Sequence, residues 1–457
     1  MALRRSRTSL ALVFRSPSAA VIAALLLRFF FLWLSHQHED TVHNHFVSWG
    51  LETLMVATSL ASGHGFAEPF PRYVFTTAWL APVYPWLVSF GALVFHLREH
   101  ALAIFSQVLN IIFSALTCYP IYFLAKKIYG TSIGLCATWL WAFLPTAILM
   151  PIEWAWDQSL SALLLCVLLW FTYYLRESSS PKHWTAYGLL WGAAALTNPT
   201  LCVLLPFLAA WLWLQRGRGV VPTGSLLIRA ALYFVLVLLP WTIRNYFEMG
   251  GLFFVKSNFG VEFWLGNNPE VKDTFTPQLH PMRSYREYTL LTLNGEPVYS
   301  RLKQREALVF IEAHPKTFLK FCSNRFVDTW TGKYDSLLDT YIQPLGAGRI
   351  YVWYNTIFSV LALAGLLVGL WTRARESLPL AFCLLLFPFP YYITHSSLRY
   401  RHPIDPVMTI LVVLALAAYI AVFRRRGAAL SIPDAEVENR EPSSPEQKAT
   451  ESMASTN

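Results

Sequence analysis

The sequence predicts an all-α polytopic membrane protein with about 10–11 transmembrane helices, amphipathic external helices and one mixed external segment. Of its 457 residues 55% are hydrophobic and only 14% are charged, which is about half the charge of a soluble domain. Uncharged apolar runs, such as 161–175 and 350–371, are close to the length that spans a bilayer core. These runs do not alternate as barrel strands do, so the spans are expected to be helices.

Basic residues at the ends of the apolar runs orient the predicted spans. We place spans at 17–35, 103–125, 131–150, 158–175, 184–198, 201–215, 226–243, 350–371, 377–394 and 404–423. With the basic N-terminus inside, the inside turns that follow also carry Lys or Arg, as the positive-inside rule requires. The short apolar segment 82–97 would reverse all later sides if it crossed, so we predict a half-buried or re-entrant external helix there.

Charge and cysteine content argue against two other classes of protein. The net charge of +9 is concentrated at the ends of apolar runs, where it sets topology, so no nucleic-acid partner is expected. Five of the six cysteines lie within apolar segments, and no disulfide framework is implied. The chain is therefore predicted to be an integral membrane protein whose partners include membrane lipids.

Charged side chains at the predicted external membrane edge, at the ends of spans and on an amphipathic surface helix expected over 48–66, are the candidates for chemistry, because charge is costly to place in a membrane. A carboxylate can take a proton from an attacking hydroxyl, and an arginine can hold a phosphate through paired hydrogen bonds. A membrane site with both suggests a lipid-phosphate substrate and a hydroxyl acceptor. The candidate acids are Glu52 and Asp157, and the candidate substrate-binding residues are Arg244, Asn245, Arg399, Tyr400 and Arg401.

The stretch SHQHEDTVHNHF, residues 35–46, raises the alternative of a metal site. It contains four histidines and two acids, Glu39 and Asp40, and zinc favours His and carboxylate ligands. No fixed ligand spacing is present, so we interpret the stretch as a polar loop and assign no metal ligands. A divalent cation is kept as an alternative cofactor.

The order of several motifs resembles the GT-C superfamily of integral membrane glycosyltransferases, in particular the branch of protein O-mannosyltransferases and bacterial lipid A aminoarabinose transferases. The resemblance extends from about residue 17 to 423 and rests on order and spacing, since no single motif is specific. It implies transfer of a hexosyl or pentosyl-type sugar from a polyprenyl-phosphate donor to a hydroxyl of a lipid, glycan or protein, on the external face, by inverting displacement. The matching pieces are ETLMVATSLASGHGF, TAWLAPVYPWL, WDQSLSALLL, GAAALTNPTLCVLLP, PWTIRNY, NFGVEFWLGNNPE, IEAHPKTF and RYRHPIDP.

The resemblance also implies roles for three acids. The family keeps its base in the first external loop, commonly as Asp or an Asp-Glu pair, and Glu52 stands at the matching distance before Gly63. Asp40, beside Glu39, is the competing base. Asp157 matches a second acid at the mouth of an early span, which assists the base or positions the donor. The arginines, or a cation, would stabilise the leaving phosphate.

The predicted domain organisation follows from the topology. We expect a cytoplasmic N-terminus over 1–16, a transmembrane catalytic module over 17–244 with a first external loop at 36–81, an external segment over 245–349 that caps the acceptor side, C-terminal transmembrane helices over 350–423 and a disordered cytoplasmic tail over 424–457. The expected location is the bacterial inner membrane, with the active site outside. Two alternatives stay open: a transporter or flippase of lipid-linked sugars, and an O-antigen ligase or polymerase that uses diphosphate-linked donors.

Overall fold

The secondary structure is helical throughout the part of the chain that can be described. The computed structural model describes residues 14–37, 50–153, 155–216, 223–334 and 347–430. Apart from short 3₁₀ turns and an isolated bridge between Ala67 and Thr76, the regular structure in these ranges is α-helical. Apolar helices of membrane-spanning length recur from the first range to the last. The prediction of an all-α polytopic membrane protein is confirmed.

The helices are numbered in chain order. The first part of the chain contains α1 (Pro17–Gln37), α2 (Leu51–Ala61), α3 (Val83–Phe95), α4 (Glu99–Leu116), α5 (Cys118–Tyr129), α6 (Thr131–Phe143), α7 (Pro145–Glu153), α8 (Gln158–Leu175), α9 (Pro181–Thr197), α10 (Leu205–Arg216) and α11 (Thr223–Met249). Then follow α12 (Phe259–Gly266), α13 (Tyr285–Asn294), α14 (Glu296–Ala313), α15 (Pro315–Thr331), α16 (Gly348–Leu386), α17 (Phe389–Ile393), α18 (Leu398–Arg401) and α19 (Asp405–Leu430). The segment Leu416–Asn457 is a second unit, and its described part is the C-terminal portion of α19.

Within the described ranges, six helical stretches are long and apolar enough to cross a membrane. They are Pro17–His36, Glu99–Tyr129, Gln158–Leu175, Thr223–Met249, Gly348–Ile393 and Leu398–Arg424. The pair α6 and α7, bent by 46°, would make a seventh. The 46-residue stretch Gly348–Ile393 contains two predicted spans, separated by the non-helical backbone of Arg373. The predicted number of about 10–11 is larger because it counts both halves of this stretch and two shorter helical segments, 184–198 and 201–215.

The apolar segment 82–97 forms the 13-residue helix α3, which is too short to be counted as a span. One face of α3 packs on α2, where Tyr84 and Val88 meet Leu54 and Ala57. The opposite face is apolar and exposed, with Phe95 at 58%. A helix with one packed face and one apolar free face fits the predicted half-buried position, and its relation to the membrane stays a prediction.

Small residues allow the long helices to pack closely. Gly188 of α9 faces the backbone of Ala230 in α11, and a Cβ atom at residue 188 would collide with the Ala230 carbonyl oxygen. Such close approach is typical of membrane helices, where van der Waals packing and not hydrophobic exclusion holds helices together. A substitution of Gly188 by any larger residue would therefore push α9 and α11 apart.

The break between α6 and α7 is stabilised by a buried arginine of α1. Arg28 is fully buried, and its guanidinium donates to Ser114 Oγ at 3.0 Å, to the Ala147 carbonyl at 2.9 Å and to the Ala142 carbonyl at 3.2 Å. Pro145 at the start of α7 lacks an N–H, so carbonyls at the end of α6 lose helical partners. Arg28 donates hydrogen bonds to carbonyls of this region, so its role is structural.

The first loop packs against the segment after α11. Phe70 and Trp79 of the loop share a buried apolar cluster with Trp264 of α12. The carboxylate of Glu296, at the start of α14, accepts hydrogen bonds from Thr77 Oγ1 at 2.7 Å and from the backbone N–H of Ala78 at 3.1 Å. These contacts hold the first loop and the following segment together around the residues described next.

Candidate active site

Glu52 lies in the first turn of α2, on its buried face. The helix begins after Gly50, which has a φ of 109° and lies against Ala155 in the loop before α8. A side chain at residue 50 would be strained by this φ and would collide with Ala155, so glycine is required for the close approach. The approach brings the start of α2 beside the loop that carries Asp157. The buried face of α2 includes Glu52, Val56 and Ala57.

The carboxyl group of Glu52 is buried and incompletely hydrogen-bonded. Glu52 is 9% exposed, and among the described residues no donor lies within hydrogen-bond distance of its Oε2 atom. Burial raises the pKa of Glu52 to about 7, although the N–H groups of the helix start and the charges of Arg399 and Lys256 oppose the rise. A carboxylate with this pKa is a stronger base than an ordinary glutamate at neutral pH.

Asp157 occupies the N-cap position of α8. Its Oδ2 atom accepts a hydrogen bond from Ser161 Oγ at 2.7 Å, but its side chain accepts no hydrogen bond from the backbone N–H groups of the helix start. Burial raises the pKa of Asp157, and the Ser161 hydrogen bond and the charges of Lys256 and Arg399 act against the increase. Asp157 and Glu52 therefore respond to the same two cations.

Arg399 is the cation that faces these acids from α18. Its guanidinium lies 3.8 Å from the ring centroid of Trp156 and 4.6 Å from that of Tyr400. Its Nη2 atom donates to the Tyr400 hydroxyl at 2.6 Å, and Tyr400 stacks on Tyr391 with 4.6 Å between ring centroids. The aromatic rings hold the guanidinium in place without neutralising its charge. The structure thus brings Glu52, Asp157, Arg399 and Tyr400 together.

Four further residues belong to the same cluster and were not singled out from the sequence: Lys256, Glu262, His280 and His395. Burial alone would raise the pKa of Glu262, but a 2.6 Å hydrogen bond with His395 Nε2 and the charges of His395, Lys256 and His280 lower it to about 2. Burial lowers the pKa of His280 to about 4. Glu262 is thus a permanent anion, whereas Glu52 titrates near neutral pH.

Three predicted substrate-binding residues make their hydrogen bonds within the protein. Arg401 is 1% exposed and donates to Asp405 Oδ1 at 2.9 Å. Arg244 donates to the carbonyls of Thr77 at 2.6 Å and Phe66 at 2.8 Å, and it therefore fastens the first loop to α11. Asn245 is fully buried and donates to the Phe253 carbonyl at 3.0 Å. A direct contact of these three residues with a substrate stays a prediction.

The remaining candidates concern the histidine-rich stretch. Asp40, Glu39 and the histidines from 38 to 45 lie outside the described residues. His36 is described, and its ring packs edge-on to that of His100 with 5.5 Å between centroids. Within the described ranges, no group of three or more His, Cys, Asp or Glu side chains is placed to hold a metal ion.

The cluster of Glu52, Asp157, Glu262, Lys256 and Arg399 is called the carboxylate cluster below. It combines one acid that titrates near pH 7 with cations able to stabilise a negative charge. Lys256 and Glu262 each stand as a single charge in an apolar stretch, as in FFVKSNFG and GVEFWLG. That isolation is the sequence signal that could have identified them, because a lone charge among apolar residues needs a partner.

Comparison with known proteins adds two findings. Residues 80–243, fewer than half of the chain, match the family described as dolichyl-phosphate-mannose-protein mannosyltransferase. The matched range includes Asp157 but not Glu52, Lys256, Glu262 or Arg399. No curated protein matches the sequence.

The fold is similar to that of the oligosaccharyltransferase of Archaeoglobus fulgidus. Its complex with zinc and sulfate has a TM-score of 0.54 at 14% identity, covering 90% of this chain and 50% of that one. Its complex with an inhibitory peptide and a dolichol-phosphate has a TM-score of 0.51 at 14% identity, covering 92% and 52%. The chain spans about half the length of these relatives. Together, the family match and this shared fold confirm the predicted resemblance to the GT-C superfamily of integral membrane glycosyltransferases.

Proposed function

We propose that the protein transfers a hexosyl or pentosyl-type sugar from a polyprenyl-phosphate donor to a hydroxyl group of a lipid, glycan or protein at the external face of the membrane. The observation that carries this proposal is the carboxylate cluster, in which the buried carboxyl of Glu52 feels the positive charges of Arg399 and Lys256. The name of the matched family and the dolichol-phosphate in the archaeal complex agree with a lipid-phosphate donor.

The cluster supports an inverting single displacement with Glu52 as base. Ionised Glu52 takes the proton of the acceptor hydroxyl as its oxygen bonds to the anomeric carbon of the sugar. The bond between that carbon and the phosphate oxygen breaks, and the polyprenyl phosphate leaves as an anion. Arg399 and Lys256 stabilise the negative charge that develops on it. Asp157 and Glu262 hold the two cations in position by opposite charge.

The surroundings of the candidate residues divide them into donor-binding and supporting residues. Arg399 of the carboxylate cluster, and Tyr400, which accepts a hydrogen bond from it, are assigned to the donor phosphate. Arg244, Asn245 and Arg401 are assigned to support, because their hydrogen bonds are made within the fold. Asp40 is kept as the competing base, and a divalent cation as an optional aid to the leaving phosphate.

The decisive experiment uses the full chain in proteoliposomes with a radiolabelled polyprenyl-phosphate hexose or pentose. We expect transfer of label to an added acceptor, or hydrolysis without one, and a fall of about 100- to 10,000-fold in Glu52→Gln. The matched control is Glu177→Gln, whose side chain is 67% exposed and pairs with Lys127. Turnover that is unchanged in Glu52→Gln would overturn the assignment of the base. Movement of the donor across the bilayer without turnover would favour a flippase.

We further infer a position in the bacterial inner membrane with the carboxylate cluster outside. The distribution of basic residues supports this orientation, because it places the turns rich in Lys and Arg inside. A reporter enzyme fused after Arg426 should be active only in the cytoplasm. A periplasmic signal would mean that α3 crosses the membrane and that the sides are reversed.

A further inference from the structure

The pair formed by Glu262 and His395 is held in one arrangement. His395 Nε2 and Glu262 Oε2 are 2.6 Å apart, and Asn258 Nδ2 donates to the other carboxylate oxygen at 2.8 Å. The imidazole of His395 is stacked on Phe275, with 5.0 Å between centroids and 23° between planes. Tyr400 meets the same ring edge-on at 5.3 Å. The stacking on Phe275, the edge-on contact with Tyr400 and the hydrogen bond at one nitrogen leave the ring little freedom to turn.

This arrangement decides which nitrogen of His395 carries the proton. Glu262 remains ionised at neutral pH, because its pKa is about 2. An ionised carboxylate accepts only, so Nε2 of His395 must be the N–H donor of the pair. In the neutral imidazole, the form that the role proposed below requires, the other nitrogen, Nδ1, is then a bare hydrogen-bond acceptor.

The Nδ1 atom of His395 is buried, and it has no hydrogen-bond partner within the described part of the chain. A buried acceptor without a donor is unfavourable, because its desolvation is not offset by a hydrogen bond. Ionised Glu52 presents a second such acceptor in the same cluster, its Oε2 atom. The site therefore offers two acceptors and is complementary to a ligand that brings hydroxyl groups.

We propose that His395 Nδ1 accepts a hydrogen bond from a hydroxyl of the substrate, and that His395 is thereby a specificity-determining residue of the site. The hydroxyl belongs either to the transferred sugar or to the acceptor, beside the one that loses its proton to Glu52. Phe275 and Tyr400 are half-buried and cover the imidazole, so substrate entry displaces one of them. This inference rests on the proposed glycosyl transfer, and Glu262 is a positioning residue in it.

The test compares His395→Phe, which keeps the stacking but removes the acceptor, with His395→Gln, whose amide oxygen restores one. His314→Phe is the matched control, because His314 also stacks on a phenylalanine, Phe310, but is exposed and outside the cluster. Each variant is assayed as full chain in proteoliposomes with polyprenyl-phosphate hexose and with its deoxy analogues. Hydrolysis without acceptor and transfer to glycerol, as a surrogate hydroxyl acceptor, are measured separately.

We expect His395→Phe to lower kcat/KM for the hexose donor by about 10- to 100-fold, mainly through KM, and His395→Gln to recover part of the loss. A loss in both hydrolysis and transfer assigns the hydroxyl to the sugar, and one deoxy analogue should then react equally well with wild type and His395→Phe. A loss in transfer alone assigns it to the acceptor.

Two outcomes would overturn the inference and leave the proposed function standing. Wild-type rates in His395→Phe would show that no substrate hydroxyl reaches Nδ1. An equal loss in His395→Phe and His395→Gln for every donor, with a lower melting temperature, would show a purely structural role. Absence of any Glu52-dependent turnover in the wild type would instead overturn the proposed function, and this inference with it.

Discussion

Two arginines of α18, Arg399 and Arg401, lie in contrasting surroundings. Arg401 is 1% exposed, and its guanidinium donates to Asp405, Asn355 and Ser359. Arg399 contacts the rings of Trp156 and Tyr400. Its positive charge opposes the rise that burial causes in the pKa of Glu52 and of Asp157.

The difference teaches how to separate supporting from functional charges in this molecule. A buried arginine whose nitrogens are paired within the fold holds helices together and has little left to offer a ligand. An arginine held by aromatic faces beside buried acids keeps a charge that can respond to a reacting group. The predictions below test this contrast.

The largest effect is expected at the supporting arginine. Arg401→Met leaves the buried carboxylate of Asp405 without its 2.9 Å partner, which should lower the free energy of unfolding by about 3–5 kcal/mol. Thermal unfolding in detergent measures the loss, and the double variant Arg401→Met with Asp405→Leu should recover much of it. A melting temperature equal to that of wild type would contradict the supporting role.

At the functional arginine the effect should fall on activity. Arg399→Met removes the cation beside the leaving phosphate and should lower the rate of sugar transfer by about 100- to 1,000-fold. Its melting temperature should stay within a few degrees of wild type. Arg399→Lys keeps the charge but loses the planar stacking on Trp156, so an intermediate rate is expected. A decrease in melting temperature as large as that of Arg401→Met would contradict the proposed difference between the two residues.

The buried carboxyl of Glu52 should make the stability of the protein depend on pH. The pKa of Glu52 is about 7 in the fold against an ordinary 4.5, so holding the ionised form at pH 8 destabilises the protein by about 3 kcal/mol. The penalty grows between pH 4.5 and 7 and is mostly absent at pH 5. Glu52→Gln should therefore melt several degrees higher than wild type at pH 8, with little difference at pH 5.

The control for this pH effect is the exposed Glu177→Gln, which should change neither melting curve. The activity of the wild type should rise with pH through about 7, as Glu52 ionises. An activity that is flat from pH 5 to 8 would contradict Glu52 as the base.

The smallest effect is expected where the first loop meets α11. Arg244→Lys cannot reproduce the two hydrogen bonds to the carbonyls of Thr77 and Phe66, and a loss of about 1–2 kcal/mol in stability should follow. Differential scanning fluorimetry measures it. A fall in transfer rate of 100-fold or more at unchanged melting temperature would instead show that Arg244 binds the donor.

The fold class was accessible from the sequence because it depends on local features. An apolar run of about 20 residues predicts a membrane helix wherever the rest of the chain lies. Glu52 and Asp157 were also recognisable as candidates, since each stands at the predicted edge of an apolar segment. The structure places both in one cluster, and their catalytic roles stay predictions.

Lys256 and Glu262 are single charges in apolar stretches, but no spacing pattern in the sequence connects them with the rest of the cluster. Glu262 and His395 are 133 residues apart in the chain yet share a 2.6 Å hydrogen bond. Lys256 lies in an irregular stretch between two helices, where periodicity carries no information. No spacing rule links these residues, because the contacts depend on how α12, α17 and α18 pack.

The sequence by itself determined the helical membrane class and the main apolar spans, because these depend on apolar length, and it supplied Glu52 as one candidate for the first-loop acid. Only the tertiary structure decided which arginine acts on the buried acids and which one makes its hydrogen bonds within the fold. Arg399 and Arg401 differ by two positions and have the same chemistry. Their surroundings differ because burial and pairing are properties of the packed helices and not of the residues.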